Sequence, residues 1–228
     1  MRILVYGMQS SGSTAFTLFL AQRSDCLALV DVPNNFAAPR IVTDLDMVTK
    51  VVVTTAYPLA VHLERFRPDR VILLLRDPRD NYVSLRTKGY RNYSGLIDEK
   101  FLILDQMFAE RERFDAVIEY EDFVARDPAV LETIRALGWP VEDDFYNYRR
   151  RHNEMLAALW QHVPDLMPDF EFVFGNVRGA EVSNRFVGQT RDEELDAKLE
   201  KLCPRLLAHY RARPLTGVRA DRVKSGSM

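Results

Sequence analysis

Short apolar runs alternate along the chain with longer segments whose apolar residues recur every three or four positions. The runs are rich in β-branched residues, as is typical of buried strands, and the longer segments have the spacing of amphipathic helices. The predicted strands cover residues 2–6, 26–32, 51–57, 70–75 and 116–120. Because strands and helices alternate, the pattern predicts right-handed βαβ crossovers and a mainly parallel sheet.

The segments between the runs predict helices that flank this sheet. They cover 16–20, 59–66, 97–114, 131–137 and a final helix marked by Leu195, Leu199, Leu202 and Leu206. Pro78 suits the first turn of a further helix, and residues 141–162 also have a helical pattern. We expect a three-layer α/β fold, a mainly parallel β-sheet flanked by helices, in a single domain over 1–214. The polar tail over 215–228 is predicted to be disordered.

The first strand is followed by a Gly-Ser loop, Gly7-Met8-Gln9-Ser10-Ser11-Gly12-Ser13-Thr14. Two glycines permit a tight turn, and the start of the next helix offers backbone N–H groups and a dipole that favour an anion such as phosphate. The spacing is that of a Walker A loop, but Ser13 stands where its lysine belongs. The loop alone leaves two interpretations open, a phosphate site or a strand-to-helix turn without a ligand.

Composition narrows the possible functions. The 228 residues are 47% hydrophobic, which is enough for a sizeable core, and a net charge of −2 argues against a general nucleic-acid or membrane surface. Cys26 and Cys203 lack metal-ligand spacing. We expect no leader segment ahead of the first strand, and apolar runs such as residues 71–75 are too short to cross a bilayer, which takes about 20 residues. We therefore expect a cytoplasmic protein whose anion site is local.

Further candidate site residues lie where predicted strands end. Asp31 follows the second strand, and in an open α/β sheet such an end faces the ligand crevice; an Asp that caps the next turn is the alternative. Arg76 follows the fourth strand, and Ser84 lies about two turns along the next helix, so the two can bracket one phosphate. Arg76 can equally pair with a carboxylate such as Asp80. His62 lies on a short helix, where a structural role is the alternative.

Four separated stretches together resemble one known family. They are the first strand with the loop through Thr14, Arg76 with Ser84 eight residues on, residues 117–123, and residues 137–140. In this order they resemble the sulfotransferases that use 3′-phosphoadenosine-5′-phosphosulfate (PAPS). A looser match continues over residues 177–206, so the resemblance spans nearly the whole chain.

The resemblance implies roles for the candidate residues. The loop residues would hold the 5′-phosphosulfate of the donor; they are Ser10, Ser11, Gly12, Ser13 and Thr14. Arg76 and Ser84 would hold the 3′-phosphate, with Arg178 as a third ligand. Charge-assisted hydrogen bonds of this kind contribute about 1.5–3 kcal/mol each. The resemblance implies no metal, because sulfuryl transfer in this family needs no magnesium-bound triphosphate.

Two positions depart from the family pattern. Ser10 stands where the family usually places Lys or Arg beside the breaking bond, and loss of such a group typically costs about 2.7–4 kcal/mol of transition-state stabilisation. Arg79 and Arg178 are candidate substitutes. Thr54-Thr55-Ala56 stands where one branch carries a catalytic His. Another branch uses a carboxylate after the second strand, so Asp31 is our first candidate for the base and His62 the second.

The sequence thus predicts a sulfotransferase that moves a sulfuryl group from PAPS to a hydroxyl or amine. A P-loop kinase and a noncatalytic nucleotide-binding member of the fold are the alternatives. The acceptor is expected to be a small molecule or a carbohydrate. Aromatic residues around Trp160 and Phe170 suit a flat or lipid-like acceptor, whereas Arg149, Arg150 and Arg151 suit an anionic sugar. The sequence does not choose between them, nor does it indicate an oligomeric state.

Overall fold

A five-stranded sheet, all of its pairings parallel, forms the centre of the computed structural model. The structure describes residues 1–32, 36–87, 95–166, 181–182, 188 and 192–213. The strands are β1 (Arg2–Gly7), β2 (Cys26–Leu29), β3 (Asp46–Val52), β4 (Arg70–Leu75) and β5 (Ala116–Glu119). Their order across the sheet is β2-β3-β1-β4-β5. Central β1 thus separates two strands on one side from two on the other.

Helices cover both faces of the sheet, which confirms the three-layer α/β prediction. In the described part of the chain they are α1 (Ser13–Leu20), α2 (Leu59–Phe66), α3 (Pro78–Arg86), α4 (Ile97–Ala109), α5 (Tyr120–Ala125), α6 (Pro128–Ala136), α7 (His152–His162), α8 (Glu193–Leu202) and α9 (Pro204–Ala212). Short 3₁₀ turns lie at Arg111–Arg113, Asp143–Tyr146 and Pro164–Leu166. Strands buried on both faces explain why their sequences are apolar runs rather than alternating patterns.

The core consists of two layers, one on each face of the sheet. Ile3 and Val5 point into the first layer, with side chains of α1, α5 and α6. Leu4 and Tyr6 point into the second, with side chains of α3, α4, α8 and α9. This is the alternation expected along a strand, in which successive side chains face opposite sides. Both layers are predominantly apolar, and several buried polar residues lie just beyond the carboxyl ends of β1 and β4.

Several predicted elements were wrong in their bounds; the helix predicted over 97–114 ends at Ala109 and the strand predicted over 26–32 ends at Leu29. The third strand is Asp46–Val52, not 51–57, because the chain leaves the sheet soon after Val53, whose N–H donates to the Gly7 carbonyl. The last helix is two helices, since Pro204 cannot donate a helical hydrogen bond and begins α9 instead. The segment 141–162 is regular α-helix only from His152. The expected tail over 215–228 lies outside the described residues, and the division into domains stays a prediction.

Buried polar residues such as Ser11, Arg76 and Asp77 lie at the carboxyl edge of the sheet. Gly7, the last residue of β1, is level with Val52 of β3 and Leu74 of β4. A Cβ at Gly7 would lie 2.6 Å from the Leu74 carbonyl oxygen, so only glycine permits this close strand approach. The crossover from β1 to β2 leads to one side of β1 and the crossover from β3 to β4 leads to the other, and such a switch point in an open sheet is the usual place for a ligand crevice.

Candidate functional site

The loop between β1 and α1 has the backbone of an anion cradle. Ser10 and Gly12 both have left-handed conformations, with φ of 62° and 89°. The N–H of Ser11 donates to the Met8 carbonyl at 3.1 Å, which closes the turn. A Cβ at Gly12 would lie 2.3 Å from Cδ2 of Tyr120, so the loop is packed directly against that ring. Glycine is therefore required at position 12 for its conformation and for space.

The start of α1 is open to an anion. No side chain caps the helix, and its first turn holds no acidic residue. The first N–H groups of any helix lack intrahelical acceptors, and the helix dipole makes this end positive. The hydroxyl oxygens of Ser10 and Ser11 are buried and have no hydrogen-bond partner among the described residues. These unsatisfied groups fit a bound phosphate or phosphosulfate.

Arg76 fastens the loop to the end of β4. Its Nη1 donates to the Ser10 carbonyl at 2.7 Å, and its guanidinium lies 4.8 Å from the centre of the Tyr120 ring. The side chain is buried, so its charge acts with little screening by solvent. The structure thus brings together two predicted parts of the site, the loop after β1 and Arg76. Ser84 itself is half-buried on α3.

Acidic residues after β4 and β5 form hydrogen bonds and ion pairs next to Arg76. Asp77 caps α3 and binds the Arg79 guanidinium through two bonds of 2.8 and 2.7 Å, so Arg79 is engaged in a structural pair. Glu121 accepts the Asp77 N–H at 3.0 Å and the Tyr210 hydroxyl at 3.2 Å. Burial raises the pKa of Glu121 to about 7. The neighbouring Asp122 binds Arg213, which follows α9.

A second set of contacts holds the first half of the loop. Asn81 of α3 donates to the Gln9 carbonyl at 2.7 Å. Lys100 of α4 donates to the Gln9 side-chain oxygen at 3.0 Å, and the whole Lys100 side chain is buried. A buried ammonium is costly unless it is paired and hydrogen-bonded, so these polar partners matter for the fold. Lys100 could not be recognised as part of the site from the sequence, because it lies within an ordinary helical pattern.

On the other side of β1, Asp31 and Lys50 form an ion pair beside the loop. Asp31 follows β2, and Lys50 lies in β3 on the sheet face of Val48. The Lys50 ammonium binds the Asp31 carboxylate and lies 3.4 Å from the Thr14 hydroxyl. His152 begins α7 and interacts electrostatically with both charged groups; burial lowers its pKa. The structure therefore places Asp31 near the predicted anion site, with a cation between them.

His62 has a different environment. Its Nδ1 accepts the backbone N–H of Ala38 at 3.0 Å, and its side chain is buried in contact with Tyr57. Burial lowers the pKa of His62 to about 4, so the ring is neutral at physiological pH. These contacts are those of a structural histidine on α2. The role of His62 as the second candidate base stays a prediction. Its described contacts, with Ala38 and Tyr57, do not include the loop between β1 and α1.

The remaining predicted residues are only partly described. Arg178 and Phe170 lie outside the described residues. Arg149 pairs with Asp144 at 2.5 Å, while Arg150 donates to the carbonyls of Ala21 and Cys26 at 2.9 and 3.1 Å. The basic run is therefore not a uniform solvent face, because its middle member joins the end of α1 to β2. Trp160 is exposed on α7.

Searches against known proteins return structural neighbours only. No protein-family model matches the chain. No curated protein matches it either. Mouse sulfotransferase SULT7A1 complexed with PAP (3′-phosphoadenosine-5′-phosphate) is 14% identical, over 92% of this chain and 88% of that one, with a TM-score of 0.44. Retinol dehydratase in a complex with retinol and PAP is 13% identical, over 90% and 81%, with a TM-score of 0.45.

A bacterial structure is similar over the same extent. The sulfotransferase from Alicyclobacillus acidocaldarius is 16% identical, over 92% of this chain and 98% of that one, with a TM-score of 0.40. Within the described ranges, no helix is long and apolar enough to span a bilayer, and no group of three or more His, Cys, Asp or Glu residues is placed to hold a metal ion.

Proposed function

We propose that the protein is a PAPS-dependent sulfotransferase that transfers a sulfuryl group to a hydroxyl or amine. The observation that carries the proposal is the open cradle at the start of α1. It combines an uncapped helix end, two buried hydroxyls without partners at Ser10 and Ser11, and a cation on each side of β1, Arg76 and Lys50. A doubly charged phosphosulfate would satisfy the helix end, the two hydroxyls and Lys50, and Arg76 would be left for the second phosphate of the donor.

The donor would lie across the carboxyl edge of the sheet. Residues 10–14 would hold its 5′-phosphosulfate, and Arg76, Ser84 and Arg178 would hold the 3′-phosphate that distinguishes PAPS from common adenine nucleotides. The rigid attachment of Arg76 to Ser10 supports this assignment, because it links the two phosphate positions through one side chain. The donor supplies the sulfuryl group, and the protein contributes orientation and charge stabilisation.

In the transfer step, an acceptor oxygen would attack sulfur in line with the bridging oxygen that leaves. Asp31 would accept the proton of the acceptor hydroxyl as general base. Its position after β2 and beside Thr14, through Lys50, supports this role over that of His62. A small molecule or a carbohydrate would serve as acceptor.

The second candidate is a noncatalytic nucleotide-binding protein of the same fold. The observation that favours it is the ion pair of Asp31 with Lys50, which occupies the proposed base. A P-loop kinase is less well supported, because Ser13 replaces the lysine that such enzymes place beside the β- and γ-phosphates.

A thermal unfolding titration tests donor recognition. We expect PAP without magnesium to raise the Tm, and ATP with magnesium to raise it little, because ATP lacks the 3′-phosphate. Adenosine 5′-phosphosulfate, which also lacks that phosphate, is the matched control. Stabilisation by ATP with magnesium and none by PAP would overturn the proposal in favour of a kinase. Turnover of labelled PAPS with phenolic, steroid and anionic sugar acceptors then separates an enzyme from a noncatalytic binder.

A further inference from the structure

The strand lysine Lys50 lies between the candidate base and the anion cradle. Its ammonium has two described partners, the Asp31 carboxylate on one side and the Thr14 hydroxyl at 3.4 Å on the other. Only 5% of the Lys50 side chain and 17% of the Asp31 side chain are exposed. The ion pair is therefore largely shielded from water, and each charge depends on the other for its stability.

The position of Thr14 places the Lys50 ammonium next to the predicted anion site. Thr14 is the second residue of α1, where backbone N–H groups and the helix dipole attract an anion. A bound 5′-phosphosulfate would bring negative charge next to the Thr14 hydroxyl. Lysine carries a point charge on a flexible stem with three rotatable N–H donors, so a small movement transfers its contact from Asp31 to that anion.

We propose that Lys50 passes from Asp31 to the donor when PAPS binds, and so acts as the cation that Ser10 does not provide. The inference rests on the proposed function. In the donor-free protein, Asp31 is neutralised by Lys50. Once the donor draws the ammonium away, the carboxylate is released to act as base at the same moment that the donor acquires its stabilising charge.

This exchange defines the movement of bonds and protons in the sulfuryl-transfer step. The acceptor oxygen forms a bond to sulfur as the bond from sulfur to the bridging oxygen breaks. The electron pair of that bond leaves with the bridging oxygen on the 5′-phosphate of PAP, where the Lys50 ammonium stabilises the charge. The acceptor proton goes to the Asp31 carboxylate, and Lys50 stays protonated throughout.

A double-mutant cycle on PAP affinity, measured by titration calorimetry, tests the exchange without the need for an acceptor. Lys50→Met should weaken PAP binding roughly tenfold or more, because a charge-assisted contact is lost. Asp31→Asn should tighten it roughly threefold or more, since PAP no longer competes for Lys50 and no carboxylate repels it. The decisive result is that Asp31→Asn tightens binding less in the Lys50→Met background.

The possible results of this cycle separate a failure of the Lys50 exchange from a failure of the proposed function. If wild-type protein does not bind PAP, the proposed function fails. If PAP binds but Asp31→Asn has the same effect with and without Lys50, the exchange is overturned and the pair is structural. The ion pair of Arg70 with Asp115, at the opposite edge of the sheet, is the matched control. Arg70→Met and Asp115→Asn should leave PAP affinity unchanged.

A measurement on unaltered protein covers the case in which a variant does not fold. Carbon NMR of protein labelled at aspartate observes the carboxyl carbon of Asp31. Lys50→Arg, which keeps the positive charge at position 50, serves as a second variant for the affinity measurements. We expect saturating PAP to shift the Asp31 resonance, because its ion-pair partner leaves. An unchanged Asp31 resonance with PAP bound would contradict the exchange.

Discussion

The conformation of a single residue, Gly12, shapes the anion cradle. Its φ of 89° lies in the left-handed region, and the space that a side chain would need is filled by the Tyr120 ring. Ser10 also has a positive φ, which a non-glycine residue adopts only at an energetic cost. The loop thus keeps an unfavourable backbone at two positions next to the start of α1.

Gly12→Ala should therefore abolish or strongly weaken PAP binding. Beyond a backbone cost of about 1–2 kcal/mol, the new Cβ would displace the Tyr120 ring or the loop. Gly138→Ala is the matched control, because Gly138 has a similar φ of 84° and its added Cβ would meet only Met1, at 3.1 Å. Both variants should lose stability in urea, and only Gly12→Ala should lose affinity. Equal affinities for the two variants would argue against the cradle.

Arg76→Lys tests whether the shape of the guanidinium matters or only its charge. Lysine cannot reproduce a planar group that stacks on Tyr120 while it donates to the Ser10 carbonyl. We expect PAP affinity to fall roughly tenfold to a hundredfold, the equivalent of about 1.5–3 kcal/mol. Arg65→Lys, on the exposed face of α2, is the control and should bind PAP as the wild type does. An unaltered affinity in Arg76→Lys would remove Arg76 from the donor site.

At the scale of elements, α5 and α9 are joined by a buried carboxyl. Glu121 accepts hydrogen bonds from the backbone after β4 and from Tyr210 of α9. Burial raises its pKa from 4.5 to about 7, so the folded protein holds this proton more tightly than the unfolded chain does. Its contribution to stability is complete below about pH 4.5 and is lost as the pH rises through about 7.

Glu121→Gln should remove this pH dependence. Glutamine keeps an oxygen acceptor without the charge. Between about pH 5 and pH 8, the free energy of unfolding of wild type should fall relative to that of the variant by up to about 3 kcal/mol. Urea unfolding at a series of pH values measures the difference, with Glu132→Gln on the exposed side of α6 as control. A constant difference across the series would show that Glu121 does not titrate in this range.

The elements also show what the sequence could and could not predict. β4 and α2 agree with their predicted bounds because each is bracketed by proline or a charged pair and is uniform in pattern. β3 was misplaced, and Lys50 with it, because a lysine interrupts the apolar run that marks a strand. Its burial depends on Asp31, nineteen positions earlier. A local pattern cannot contain that information, since the pairing exists only after β2 and β3 are side by side.

At the scale of the whole molecule, each core layer contains one cysteine. Cys26 belongs to the layer of α1, and Cys203 to the layer of α8 and α9. Both thiols are free and buried. Burial raises the pKa of Cys26 to about 12 and also raises that of Cys203, so neither reacts readily in the folded protein. The two residues therefore report separately on the opening of the two layers.

We expect both cysteines to be modified at the same rate in urea below the unfolding midpoint, because one sheet forms the wall of both layers. Peptide mass spectrometry after timed labelling measures each rate. Saturating PAP should slow both by the same factor, since it binds only the folded state. Labelling of one cysteine could itself expose the other. Cys26→Ser and Cys203→Ser, each with a single remaining cysteine, are the controls for this effect. Much faster labelling of Cys203 would show that α8 and α9 open independently.

The central place of β1 has a consequence for how such a protein can change over time. Arg76 and Ser84 lie on the side of β4, whereas Asp31 and Lys50 lie on the side of β2 and β3. Under the proposed function, nucleotide binding and the transfer chemistry would therefore lie on opposite sides of one strand. A lineage can lose or retarget the reaction by substitution on one flank and still inherit an intact nucleotide-binding half from the other.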